Sequence, residues 1–184
     1  AVHQPSELPF TTKWKVGVLD PSSELSLLTD VLALLPELAC LRLDANGNWS
    51  RASAERWAER LQNQARLQWI EQPFAPSDHE GLLNLSRQLP VALDESLRDP
   101  SGIPKGWKGW RVHKPAIEGD PRPLLTRLRA GAAHEMVGTV FETGIGSRAI
   151  GHLAALAAEG PTPCAAGLAP GWGAEGDLAS GDPQ

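Results

Sequence analysis

Residues 39–44 read Ala-Cys-Leu-Arg-Leu-Asp, a short apolar run that ends in an acid and is followed by Ala-Asn-Gly. A run of this length predicts a buried β-strand, and the Asn-Gly pair after it predicts a tight turn. Because side chains alternate along a strand, Leu41 and Leu43 share one face while Arg42 and Asp44 share the other. We therefore expect Asp44 at the carboxyl end of a strand, on the face turned away from the apolar layer.

The same unit, a short apolar run followed by an amphipathic stretch, repeats from Phe10 to Leu168. Repeated βα units predict an α/β fold with a parallel sheet. Seven strands are predicted, at about 10–18, 39–44, 67–71, 91–94, 109–114, 136–141 and 164–168. Helices are predicted from Ser22 or Ser23 onward and at about 53–65, 77–87, 121–130 and 145–158, whereas the Gly/Pro/Trp-rich stretch 99–107 predicts none.

The alternation of predicted strands and helices fits both a (β/α) TIM-type barrel and an open doubly wound sheet. The polar residues at the strand ends favour the barrel. We expect residues 1–168 to form a barrel catalytic domain that is truncated at its N-terminal side, with about seven strands present. Residues 169–184 are a Gly/Ala/Pro-rich tail.

Composition excludes several classes of protein. A formal net charge of −5 and the absence of a Lys/Arg run argue against a nucleic-acid partner. The apolar runs are too short and too often interrupted to span a membrane. Cys40 and Cys164 are the only cysteines and form no paired motif, which predicts buried thiols in a reducing cytoplasm. The five histidines show no paired spacing and predict no zinc site.

Ionisable residues end each of the first five predicted strands. In chain order they are Lys13 with Lys15, Asp44, Glu71, Asp94 and Lys114. Buried charges are costly unless they are paired, so charges at the same end of five strands predict one shared polar site.

Three of these residues are acids on adjacent strands, and they form an all-oxygen anionic pocket. Such a pocket suits Mg²⁺, with Mn²⁺ as a substitute. We predict Asp44, Glu71 and Asp94 as the metal ligands. The alternative for any single acid is that it caps the following helix or ends in solvent.

The lysines next to this pocket are candidates for proton transfer. A neighbouring cation and partial burial both lower the pKa of a lysine, which makes its neutral amine accessible as a general base. We predict Lys15 as the base.

Five motifs in this order resemble one known family. They are residues 12–17 (TKWKVG), 41–49 (LRLDANGNW), 70–73 (IEQP), 92–96 (ALDES) and 112–115 (VHKP). Together they resemble the muconate-lactonising subgroup of the enolase superfamily, over nearly the whole chain. The resemblance implies a TIM barrel, a Mg²⁺ cofactor, a Lys base of the kind known for that superfamily and a small carboxylate as substrate.

Family members also carry an N-terminal α+β capping domain, which we expect to be absent from this sequence. The barrel strand that precedes the Lys-x-Lys strand has no counterpart in residues 1–8. We therefore expect an open seam, low activity of this chain alone, and self-association through the open edge.

Within the subgroup, residues 94–97 (DESL) and 141–146 (FETGIG) resemble members that dehydrate a cyclohexadiene carboxylate to a benzoate. That resemblance implies a syn dehydration through an enediolate. Lys15 would remove the proton α to the substrate carboxylate and then help hydroxide to leave as water. Lys114 would stabilise the anion from the opposite face, and Lys13 would tune Lys15 and contact the carboxylate.

Four further residues are candidates for substrate binding. Thr143, Gly144 and Ile145 lie at a predicted helix start, where backbone N–H groups could hold a carboxylate, although an ordinary tight turn is the alternative. Asn46 could approach the substrate or metal-bound water, although an Asx turn after the strand is the alternative.

Two other functions stay open at this point. A racemase or epimerase acting on N-succinyl amino acids or dipeptides would use the same two lysines and the same metal. A barrel fragment that serves as a binding module without turnover is the second alternative.

Overall fold

The computed structural model describes residues 10–168, which form one sheet of six parallel strands. The strands are β1 (Thr11–Lys15), β2 (Cys40–Asp44), β3 (Leu67–Glu71), β4 (Val91–Leu93), β5 (Trp110–His113) and β6 (Glu135–Val137). Each strand pairs in parallel with the next one along the chain, in the order β1-β2-β3-β4-β5-β6. Consecutive parallel pairing of this kind builds a barrel wall. The sheet curls into an incomplete barrel, as the sequence predicts.

The predicted seventh strand at 164–168 is only a single parallel bridge, between Gly138 and Gly167. The backbone N–H of Thr139 donates to the carbonyl of Gly167 at 3.0 Å, and Gly167 donates to Val137 at 3.0 Å. The segment therefore lies where a strand beside β6 would lie. Its Ala-Ala-Gly sequence offers little side-chain surface to pack against a sheet, which explains why the ladder ends after one bridge.

Helices connect the strands. They are α1 (Pro21–Leu34), α2 (Arg51–Leu61), α3 (His79–Ser86), α4 (Pro115–Glu118), α5 (Arg122–Arg129) and α6 (Gly144–Ala158), and a 3₁₀ turn (Glu95–Leu97) follows β4. The stretch 99–107 contains no helix, as predicted. No helix in residues 10–168 has both the length and the hydropathy required to cross a membrane.

Two helices begin earlier than the sequence predicts because their caps lie further upstream. The carboxylate of Asp20 accepts hydrogen bonds from the backbone N–H groups of Ser22 and Ser23 at 3.0 and 3.1 Å, so the predicted serine cap of α1 is wrong. Proline at the first position of α1 suits this start because it has no N–H to satisfy. The hydroxyl of Ser50 caps α2 through the Ser53 N–H at 3.1 Å.

The main core lies between the sheet and the helices. Leu41 and Leu43 are fully buried there, together with Trp57, as the alternation along β2 and the apolar face of α2 predict. The rings of Trp49 and Trp57 stack with centroids 5.3 Å apart. Aromatic side chains of this size contribute much of the burial free energy of a core, so replacing Trp57 by Ala should cost about 3–5 kcal/mol.

A second, smaller group of buried residues lies on the opposite face of the sheet, inside the curl. Trp69, Val112 and Met136 belong to it. Arg42 lies there too, with its guanidinium 4.1 Å from the centroid of the Trp69 ring and one N–H donating to the carbonyl of Ala165 at 2.6 Å. The inward orientation predicted for Arg42 is therefore correct, and the interior face is the one that carries the ionisable strand ends.

Candidate active site

The carboxyl ends of the strands bring the predicted charged residues to one place. In the strand register Lys15 pairs with Asp44, and Asp44 pairs with Glu71. Asp94 and Lys114 directly follow β4 and β5. The three acids are completely buried. A parallel sheet that curls in one direction thus places six ionisable side chains from five strands, Lys13 included, in one polar site.

The β1 lysines both contact the first acid. Lys13 Nζ lies 2.8 Å from Asp44 Oδ2 and 3.2 Å from Glu71 Oε1. Lys15 Nζ lies 3.4 Å from the same Asp44 oxygen and donates a hydrogen bond to Asn46 Oδ1 at 2.7 Å. Two ammonium groups therefore share one carboxylate, and Lys15 is the more loosely held of the two.

Lys114 approaches from the other side of the site. Its Nζ donates to Asp94 Oδ2, while Arg98 donates to Asp94 Oδ1 at 2.6 Å. Lys15 and Lys114 line one cavity of about 680 Å³ inside the curl. Glu71 lies on the strand between those of Asp44 and Asp94. The two lysines thus flank the carboxylates, one from β1 and one from the end of β5.

The acids differ in their electrostatics. Burial raises the pKa of Glu71, and the nearby charges of Asp44 and Asp94 add to that effect, although Lys13 opposes it. Burial also acts to raise the pKa of Asp44, but the ammonium of Lys13 outweighs it and holds that pKa below its usual value. Glu71 is therefore the acid whose charge is least well compensated by the protein.

The pKa of Lys13 is raised, whereas we expected lysine pKa values in this site to fall. Burial does lower it, but the charges of Glu71 and Asp44 outweigh burial because both carboxylates lie within 3.2 Å of the ammonium. The predicted fall applies to a partly buried lysine beside a bound cation, and for that state it stays a prediction.

The donor chemistry of this site fits a hard divalent cation. Oxygen ligands from three buried carboxylates suit Mg²⁺, and Glu71 Oε2 is buried without any hydrogen-bond partner. In the arrangement seen here four of the other five carboxylate oxygens accept from Lys or Arg side chains, and the fifth, Asp44 Oδ1, accepts the backbone N–H of Asn46. No group of three or more His, Cys, Asp or Glu side chains in residues 10–168 converges as a metal site. The assignment of Asp44, Glu71 and Asp94 as ligands therefore stays a prediction.

Gln72 is a site residue that sequence reasoning missed. Its side chain is completely buried, its Oε1 accepts the backbone N–H groups of Asp94 and Ser96 at 3.1 Å each, and its Nε2 donates to Ser96 Oγ at 2.8 Å. A fully satisfied buried amide of this kind fixes its partners rigidly. Gln72 thus anchors the backbone at Asp94. A polar residue directly after a buried strand-end acid was the signal that could have revealed it.

Asn46 belongs to the site as well. It accepts from Lys15 and donates from Nδ2 to Glu95 Oε1 at 3.2 Å, with a left-handed backbone φ of 45°. The Asx turn expected here is made by Asp44, whose Oδ1 accepts the Asn46 N–H at 3.2 Å. Asn46 therefore orients Lys15, whereas its contact with substrate stays a prediction.

The other predicted substrate-binding residues begin α6. Thr143 occupies the N-cap position without a side-chain cap bond, Gly144 is the first helical residue, and Ile145 is 58% exposed. In the described part of the chain, the cavity shared by the lysines is lined by residues 138–141 rather than by these three. Their role in substrate binding stays a prediction.

Comparison with known proteins defines the class. The sequence profile of the family described as enolase C-terminal domain-like matches residues 10–105, more than half of the chain. The chain belongs to this family.

Individual members of the family show which proteins this chain is similar to. The o-succinylbenzoate synthase of Thermosynechococcus vestitus is 39% identical over 153 residues, which cover 78% of this chain and 48% of the relative. The crystal structure of o-succinylbenzoate synthase from Thermosynechococcus elongatus, complexed with Mg in the active site, has a TM-score of 0.73 at 35% identity and covers 92% of this chain and 56% of that chain. Muconate cycloisomerase from Pseudomonas fluorescens has a TM-score of 0.64 at 26% identity, covering 78% and 42%. The chain thus spans about half the length of its o-succinylbenzoate synthase relatives.

Proposed function

We propose that this chain is the barrel portion of an o-succinylbenzoate synthase. The reaction is the Mg²⁺-dependent syn dehydration of 2-succinyl-6-hydroxy-2,4-cyclohexadiene-1-carboxylate to 2-succinylbenzoate, a step of menaquinone and phylloquinone biosynthesis in the cytoplasm. One observation carries the proposal: Lys15 and Lys114 line the same cavity, and their ammonium groups contact two of the three buried strand-end carboxylates, Asp44 and Asp94. The identity to o-succinylbenzoate synthases supports the choice of substrate.

Lys15 performs the proton transfers in this proposal. Its amine takes the proton α to the substrate carboxylate, and the electron pair of the broken C–H bond forms the enediolate. The Lys15 ammonium then gives the same proton to the departing hydroxide, which leaves as water. Both transfers occur on one face, so a single base on β1 is sufficient for a syn elimination. Its exposed, loosely held side chain suits this movement.

The remaining residues stabilise charge. Asp44, Glu71 and Asp94 would hold Mg²⁺, which would supply positive charge that favours the neutral amine of Lys15 and stabilises the developing anion. Lys114 places its ammonium on the opposite face of the anion. Such fixed electrostatic groups are worth about 10²–10³ in rate when one is removed.

The test is a pair of assays run side by side. Conversion of the cyclohexadiene carboxylate is followed beside racemisation of an N-succinyl amino acid, with Mg²⁺, with Mn²⁺ and with chelator. Because the chain spans half of its relatives, both assays use the 184-residue chain and a fusion to the part of the Thermosynechococcus enzyme that it does not span. We expect Mg²⁺-dependent dehydration by the fusion and little by the chain alone.

Three other outcomes would separate the alternatives. Racemisation without dehydration assigns the chain to the racemases of the same family. Mg²⁺ binding without either reaction in the fusion supports a binding module. Dehydration that persists in Lys15→Ala overturns the proposal itself. Self-association of the incomplete barrel is a separate proposal, which sedimentation of the chain and the fusion would test.

A further inference from the structure

A buried network of charged side chains lies behind Lys114, on the helix-facing side of β5. His113 Nδ1 lies 2.8 Å from Glu118 Oε2, and His113 Nε2 lies 2.7 Å from Glu135 Oε2. Only 7% of His113 and 2% of Glu135 is exposed. Arg127 forms an ion pair with the other oxygen of Glu135. The network therefore joins α4, β5, β6 and α5 around a single imidazole.

Glu118 connects this network to the site. Its Oε1 accepts the backbone N–H of Lys114 at 2.5 Å, while its Oε2 faces His113. The Glu118 carboxylate thus contacts both the imidazole of His113 and the backbone of Lys114. Lys114 is fixed at two points, by this backbone bond and by the bond from its Nζ to Asp94.

We propose that His113 and Glu118 are positioning residues that hold Lys114 in place through its backbone. The inference rests on the proposed function, in which the Lys114 ammonium must face the substrate anion. Misplacement of a reacting group by about 1 Å costs about 10²-fold in rate. We call His113 and Glu118 together the clamp. Because they hold the backbone of Lys114, they affect turnover without contacting the substrate.

The clamp needs a charged imidazole. A neutral ring carries one N–H, but both nitrogens of His113 face carboxylate oxygens, so both bonds form only in the imidazolium state. Burial lowers the pKa of His113, but the bonds to Glu118 and Glu135 outweigh burial and raise it. The charged groups that face the ring or its partners are Glu118 on α4, Glu135 on β6, Arg111 on β5, Arg127 on α5, Lys114, and Arg98 after the 3₁₀ turn.

Steady-state kinetics of the Mg²⁺-loaded fusion test the functional part. We expect His113→Gln and Glu118→Ala to lower kcat by about 10–100-fold with little change in KM, because binding groups stay in place. Glu118→Gln keeps an acceptor for the Lys114 N–H and should recover part of the rate. Any fall of kcat at alkaline pH that reports loss of the His113 proton should disappear in His113→Gln. His152→Gln, an exposed histidine on α6, is the matched control and should leave kcat unchanged.

Amide hydrogen exchange at Lys114, measured by NMR on the 184-residue chain without substrate, tests the clamp independently of turnover. We expect slow exchange in the wild type and exchange at least about tenfold faster in Glu118→Ala at equal global stability. Unchanged exchange in that variant, or kcat of both clamp variants within twofold of the His152→Gln control, overturns the inference. Faster exchange in Glu118→Ala, combined with a fusion that shows no turnover, supports the clamp and contradicts the proposed function instead.

Discussion

The two lysines that flank the site are held in opposite ways. The side chain of Lys15 is 61% exposed, and its ammonium reaches Asp44 at 3.4 Å and an asparagine amide. The side chain of Lys114 is 18% exposed, bonds Asp94 directly, and lies in front of the His113 network. One lysine can change its position and its partner, whereas the other is fixed at both its backbone and its tip.

This difference suggests a division of labour. A group that takes and returns a proton must move between partners, so a loosely held lysine suits general base catalysis. A group that stabilises charge works best when it is already in place, because it then needs no reorganisation during the reaction. We therefore propose proton transfer for Lys15 and electrostatic stabilisation for Lys114.

The largest expected effect is the loss of turnover on replacing the base. Lys15→Ala should lower kcat of the active fusion by about 10²–10⁴-fold, the range of general acid–base catalysis. Lys15→Arg should fail to rescue it because arginine does not deprotonate. Substrate binding should persist in both variants. A residual rate above that of Lys114→Ala, measured side by side, would reverse the roles of the two lysines.

Stability should rank the lysines in the opposite order. Lys114→Ala leaves the buried Asp94 with Arg98 as its remaining partner, so we expect a loss of about 3 kcal/mol in the free energy of unfolding. Lys15→Ala should change it by less than about 1 kcal/mol because exposed ion pairs contribute little. Urea unfolding without Mg²⁺ measures both, and equal losses would remove the contrast between a fixed and a mobile lysine.

Glu71 lies between the two lysines and should respond to the metal. Its raised pKa means that its ionised form destabilises the folded protein above the pKa of an unfolded glutamate. Glu71→Gln should therefore raise the free energy of unfolding without Mg²⁺ by about 1 kcal/mol. The same variant should lose the stabilisation that Mg²⁺ gives the wild type. Thermal unfolding with and without Mg²⁺ checks both signs, and a destabilised variant would contradict the account.

The smallest expected effect is a pH dependence on the Lys114 side. Because the pKa of folded His113 is raised, its contribution to stability is complete below about 6.5, the value for an unfolded histidine, and is lost as pH rises through the folded pKa. The difference in unfolding free energy between the wild type and His113→Gln should therefore shrink with rising pH. A difference that grows with pH would show that His113 is neutral in the folded state.

The sequence predicts the first half of the molecule better than the second. Strands at 39–44 and 67–71 and the charged strand ends follow from alternation and from the cost of unpaired burial, which are local rules. The seventh strand was predicted because a short Ala-Ala-Gly run satisfies the apolar pattern. The structure forms only a single bridge there because these small residues offer little packing surface. The start of α1 was predicted too late, at Ser22 or Ser23. The helix instead begins at Pro21, which suits the first helical position, and Asp20 is its N-cap.

Contacts between distant residues limited the prediction of the site. The role of Gln72 depends on a loop two dozen residues away, and that of Glu118 depends on the short α4 bringing its carboxylate back to Lys114. The direction of the Lys13 pKa depends on distances to two acids that sequence spacing does not give. Residue types and strand order were predictable, whereas the partners of each charge required the three-dimensional arrangement.

A crystal structure of the chain grown with Mg²⁺ would show whether the three acids share one ion. We expect one ion bound by oxygens of Asp44, Glu71 and Asp94 at about 2.0–2.1 Å, with Lys15 and Lys114 on opposite sides of it. An ion bound elsewhere, or three carboxylates still paired with Lys13, Lys114 and Arg98 at saturating Mg²⁺, would contradict this expectation.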